Sequence, residues 1–179
     1  MQYVALLRGI NVGGNSKVSM SLLKACFEKV GFSDVSTYIN SGNVIFKSTK
    51  KDMYSLQKLC EHTIEKEFGF PISCCVITAE ILVNSLHNAP SWWGNDPAIK
   101  HNALFVIPPA SAETIMREVG EAKPEYEQVA AVGPIIFWSA PLKTFSRTRY
   151  SKIVGTSAYQ SITIRNANTT RKLCVLVQK

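Results

Sequence analysis

The chain has 179 residues, 46% of them hydrophobic and 18% charged, with 20 Lys and Arg against 13 Asp and Glu and a net charge of +7. This balance can bury the core of one domain or two small ones, and it argues against a disordered chain. The longest apolar run, Val129 to Trp138, is about half of what a membrane-spanning helix needs, and Tyr3–Leu7 ahead of Arg8 is too short for a secretory leader, so the expectation is a cytoplasmic protein without a membrane partner.

Gln2–Leu7 reads as a continuous apolar strand. A Gly-rich loop comes next, then a helix whose apolar positions Leu22, Leu23, Cys26, Phe27 and Val30 keep helical spacing and stop at Gly31. Two β-prone runs, Asp34–Ile39 and Asn43–Lys47, turn across Ser41-Gly42. A second helix carries Met53, Leu56, Cys60, Ile64 and Phe68 on one face and stops at Gly69, and Ile72–Ile77 is the next strand. This order is βαββαβ, the ferredoxin-like unit.

Thr78–Lys100, with Pro90, Trp92, Trp93, Gly94 and Pro97, reads as a linking segment. Beyond it the expectation is a strand at Asn102–Ile107, a helix at Ser111–Val119 and two strands around Gly133-Pro134. A helix near Arg147–Val154, a strand at Ser161–Ile164 and a last helix from about Thr169 complete the chain. The fold class expected is α+β, two tandem ferredoxin-like subdomains with a C-terminal helix, divided at 1–77, 78–100 and 101–179.

The loop Arg8-Gly9-Ile10-Asn11-Val12-Gly13-Gly14-Asn15-Ser16-Lys17 leaves a strand and enters a helix, a setting that suits anions. Gly9 and Gly14 have the spacing of a phosphate loop, but Asn15-Ser16 stands where Lys-Ser or Lys-Thr belongs, and the loop also fails GxGxxG. Tight turning alone also explains the glycines. In a βαββαβ unit this loop and the Tyr38–Asn43 turn emerge at one sheet edge. Arg8, Asn11 and Lys17 are therefore expected beside Asn40, Ser41 and Asn43, forming a donor-rich patch for a phosphate or carboxylate.

Tyr3–Gly14 and Tyr38–Phe46, together with Arg165-Asn166-Ala167-Asn168-Thr169, resemble the bacterial domain-of-unknown-function family numbered 1697, over what reads as the full chain. The third stretch departs from the family pattern, with Ala167 where an aromatic is expected. The resemblance implies the tandem ferredoxin-like fold and a cytoplasmic bacterial protein, and brings no activity with it.

Past Glu127 the chain has no acid, yet it carries Lys143, Arg147, Arg149, Lys152, Arg165, Arg171, Lys172 and Lys179. Such a one-sided field gathers anions. Arg147 and Lys152 are expected to supply that wider field, and Arg165, ahead of a helix N-terminus, seeks an anionic partner and joins the ligand-binding candidates. Asn166, Asn168 or Thr169 is expected to cap that helix.

No catalytic set emerges. Glu113, Glu118, Glu121, Glu125 and Glu127 read as a solvated face, and Tyr38 reads as a core or rim tyrosine. Five cysteines without a CxxC pair read as reduced core thiols, and the scattered His62, His87 and His101 nominate no metal site. The reading is an anionic or phosphate-bearing small molecule held near the Gly-rich loop. Two alternatives stay open: a sequence-tolerant nucleic-acid binder through the basic tail, where Phe145, Tyr150 and Tyr159 interleave with cations, and a protein-interaction module using Trp92-Trp93.

Overall fold

The computed structural model describes residues 1–13 and 16–179. The chain divides into two compact units, Met1–Leu82 with Val177–Lys179, and Val83–Leu176. Each contains one four-stranded antiparallel sheet, making the protein a mixed α+β structure.

In the first unit β1 (Gln2–Leu7) leads to α1 (Met20–Lys29), β2 (Ser33–Tyr38), β3 (Asn43–Lys47), α2 (Met53–Phe68) and β4 (Cys74–Thr78). The sheet order is β2-β3-β1-β4. Capping fixes both helices: the Ser19 hydroxyl accepts from Leu22 N–H, Asp52 accepts from Ser55 N–H at 2.7 Å, and Gly69 closes α2 in the left-handed conformation. Tyr3, Ala5 and Leu7 of β1 pack with Val44, Phe46 and Val76 under Leu23, Phe27, Leu56, Cys60 and Ile64 of the two helices. The alternate residues Val4, Leu6, Ile45 and Ile77 are buried too. Burial on both faces explains why β1 is apolar throughout rather than alternating.

Helix α3 (Ala79–His87) occupies the start of what the sequence reads as a linking segment. Proline and tryptophan mark only the stretch after it, which is why the segment looks irregular as a whole. The second unit then has β5 (Ile99–Val106), α4 (Ala112–Val119), β6 (Gln128–Val132), β7 (Ile135–Pro141), β8 (Ile162–Asn166) and α5 (Ala167–Leu176), with sheet order β6-β7-β5-β8.

Between β7 and β8 the sequence predicts one helix near Arg147–Val154. The structure has three 3-10 turns instead, Leu142–Arg147, Tyr150–Gly155 and Ser157–Ser161. They press Tyr150, Ile153 and Ala158 onto Leu104, Ile136 and Trp138 of the sheet. Glu127 organises this crossing, and here the reading of that acid as solvated is corrected. The residue is 3% exposed, and its carboxylate accepts from the backbone N–H groups of Lys123 (3.1 Å), Arg149 (2.6 Å) and Tyr150 (3.2 Å). A buried carboxylate is tolerable only when bonded in this way.

Candidate functional site

Arg8–Lys17 and Tyr38–Asn43 form the candidate site. The Leu7 N–H donates to Gly42 O (2.8 Å), and Arg8 N–H donates to Ser73 O (2.9 Å), so the exit of β1 is tied to a neighbour on each side. Gly42 has φ +72, and a Cβ there would lie 2.7 Å from both Ile10 Cδ1 and Leu7 Cβ. Only glycine lets the turn close on the loop.

Asn11 welds the two stretches together. Its Nδ2 donates to Val18 O (3.0 Å) and Asn40 O (2.8 Å), while its Oδ1 accepts from Val18 N–H (2.9 Å). One side chain thus closes the loop on itself and bonds it to the β2–β3 turn. Asn43, fully buried, donates through Nδ2 to Tyr38 O (2.9 Å) and Ser41 Oγ (3.0 Å). The structure brings Asn11 against Asn40, as strand order implies, but Asn11 and Asn43 use their polar atoms to build the platform. Among the described residues, the solvent-reached polar side chains of these stretches are the exposed Asn11, Lys17 and Asn40 and the half-buried Arg8, Ser16, Tyr38 and Ser41. Gly14 and Asn15, which figure in the phosphate-loop comparison, lie outside the described residues.

Left-handed backbone concentrates in these two stretches: Gly9, Asn11, Gly13, Ser16, Ile39 and Gly42 all have φ between 48° and 72°. Asn and Gly suit that region, whereas a β-branched residue is strained there by about 1–2 kcal/mol. Ile39 nevertheless sits at φ 50° and is 48% exposed, and Val12 on the facing loop is 69% exposed.

Arg165 belongs to the second unit, where it is 7% exposed and its Nη1 donates to Thr163 Oγ1 (2.8 Å) and Ile164 O (2.9 Å). Asn166 caps α5 by accepting from Thr169 N–H at 2.8 Å. Arg147 lies over the Tyr126 ring at 5.8 Å, and Lys152 is exposed. The aromatics of the basic region are buried or half-buried. Tyr150 is 1% exposed, and Phe145 and Tyr159 pack against the core of the second unit. Trp93 is likewise a core residue, donating from Nε1 to Asn102 O (2.8 Å) and meeting Phe137 edge-on.

Sequence reasoning missed a cavity of about 610 Å³ in the second unit, walled by Asp96, Lys100, His101, Leu142, Asn166 and Asn168 among others. His101 Nε2 lies 3.0 Å from Asp96 O and Nδ1 2.6 Å from Ser139 Oγ. The Asp96 N–H also lies 3.4 Å from Nε2, so backbone and serine hold both ring nitrogens whichever tautomer is present. The histidine is a brace between β5, β7 and the 94–97 turn. No sequence spacing announces it, because its partners lie 5 and 38 residues away.

All five cysteines are free thiols, four of them buried. Burial pushes Cys26 up to about 11, with smaller contributions from Glu67 and Cys60, so it stays protonated and unreactive at neutral pH. Among the described residues no three His, Cys, Asp or Glu side chains converge as metal ligands, and no helix is long and apolar enough to cross a membrane.

Fold and platform together define a two-unit α+β protein with two clamped loops at the exit of its first strand. The profile of the protein family of unknown function DUF1697 matches residues 1–137, and the chain belongs to that family. The match stops short of Arg165–Thr169, the third stretch of the sequence resemblance. The chain is also similar to a solved conserved bacterial protein from Streptococcus pneumoniae, at 32% identity over 99% of this chain and 98% of that one, with a TM-score of 0.89. No curated protein matches it.

Proposed function

We propose that the protein binds an anionic or phosphate-bearing small molecule on the platform formed by residues 8–13, 16–17 and 39–42, with Arg8 and Lys17 as the charged contacts and Asn40 and Ser41 as hydrogen-bonding neighbours. Each unit is taken as a ferredoxin-like half, and the buried or half-buried free thiols favour a reducing, cytoplasmic setting. The observation that carries the reading is the Asn11 clamp, in which two hydrogen bonds close the loop on Val18 and a third ties it to Asn40 of the turn. A preorganised polar patch of this kind loses little freedom when a guest arrives.

Calorimetric titration with inorganic pyrophosphate tests it. Binding is expected to weaken about tenfold or more in Arg8→Ala and Lys17→Ala, in line with the loss of a charge-assisted contact. Arg165→Ala asks in parallel whether the second unit takes part. Undiminished binding in the Arg8→Ala, Lys17→Ala double variant, or none by the native protein, defeats the reading.

A further inference from the structure

Ile39 and Val12 each lie one residue beyond the Asn11–Asn40 contact, on the two sides of the clamp. Both are β-branched, both are exposed, and Ile39 holds a left-handed backbone that its side chain opposes. A turn selected only for stability would carry Asn or Gly at that position, as the chain does at Asn11, Gly9, Gly13 and Gly42. Strain and solvent exposure fall together on one apolar side chain, and strained backbone gathers where a side chain is used. The same loop that carries Val12 also carries Arg8 and Lys17, so apolar and cationic groups share one short stretch of chain.

We infer that the guest of this platform is a nucleotide unit, its phosphate drawn by Arg8 and Lys17 and the flat face of its base resting on Ile39 and Val12. This deepens the anion reading and depends on it. A bare phosphate or a phosphorylated polyol has no surface to offer two exposed aliphatic side chains. A heteroaromatic base does, and burying those side chains under it removes apolar area from water. Free nucleotides and single-stranded nucleic acid both present this chemistry.

The experiment compares ADP, pyrophosphate, ribose 5-phosphate and a short single-stranded oligoadenylate by titration against the native protein, Ile39→Asn and Val12→Ser. ADP or the oligonucleotide is expected to bind the native protein about five- to tenfold more tightly than pyrophosphate or ribose 5-phosphate. That preference is expected to shrink toward unity in each variant. Ile39→Asn is also expected to raise the melting temperature by about 2–4 °C, because asparagine accepts the left-handed backbone. A preference for the oligonucleotide assigns the site to a strand, and a preference for ADP assigns it to the free nucleotide. Equal affinity for ADP and pyrophosphate overturns the nucleotide assignment and leaves anion binding standing, as does a preference that survives both variants. Absence of all binding removes both.

Discussion

The two units are built on one plan and finished differently. In each, the first strand lies inside the sheet and its exit is pinned twice. Leu7 N–H bonds Gly42 O and Arg8 N–H bonds Ser73 O in the first unit, while Val106 N–H bonds Pro134 O and Ile107 N–H bonds Ser161 O in the second. The connections that leave these exits diverge. The first unit runs from residue 8 to 19 before its helix, with cations, amides and left-handed residues; the second reaches α4 through Ile107-Pro108-Pro109-Ala110-Ser111. The second unit closes a sheet of the same strand order with no cation or asparagine in this connection. The later crossing differs as well: a 16-residue helix, α2, in one unit and three 3-10 turns, the second held at its start by Glu127, in the other.

That contrast can be broken at several points. The largest effect is expected for Glu127→Ala, which strands three backbone N–H groups: stability by urea denaturation should drop by about 3 kcal/mol or more. Next, Gly42→Ala combines an opposed backbone with a 2.7 Å collision and should cost about 2–4 kcal/mol. Its counterpart Gly133→Ala meets only Ser85 Oγ at 3.5 Å and should cost about 1 kcal/mol. Equal costs at the two turns would show that the first turn is not wedged against its loop. Asn11→Ala is expected to lose about 1–2 kcal/mol of stability while abolishing pyrophosphate binding, a split that marks a clamp serving the guest more than the fold.

The smallest expected effect is at alkaline pH. Tyr150 is pushed up to about 12, chiefly by burial and then by the Glu127 carboxylate. Its ordinary value of 10.0 applies once the chain unfolds, so its contribution is fully present below pH 10 and fades as pH climbs through about 12. In Tyr150→Phe the part of the alkaline stability loss between pH 10 and 12 that belongs to this phenol should disappear, with little change at pH 7.

Much of the first unit was legible because its signals are local. β1 and β3 have the expected bounds residue for residue, Gly69 ends α2 as expected, and the approach of the Gly-rich loop to the β2–β3 turn agrees with strand order. The second unit hides its logic in distant partners. Glu127 looks like one of five solvated glutamates until Arg149 and Tyr150 are seen to deliver their amides to it from 22 and 23 residues away. Trp93 lies in a stretch that reads as a linker, yet its indole anchors on Asn102. The site itself was half legible: residue types announced hydrogen bonding, but only coordinates separate Asn11 and Asn43, whose amides build the platform, from Lys17 and Asn40, whose side chains stand in solvent. The strain at Ile39 leaves no trace in composition, since a left-handed isoleucine is spelled like any other.

The twin pins at each strand exit have an engineering meaning. Because the backbone is fastened on both sides before the connection begins, that connection behaves as a replaceable cassette whose length and content can vary over a fixed stem, from five residues in one half to twelve in the other. A transplant of residues 8–19 onto the stem after Val106, together with the turn that receives it, would carry the proposed binding platform to a second address on the same molecule.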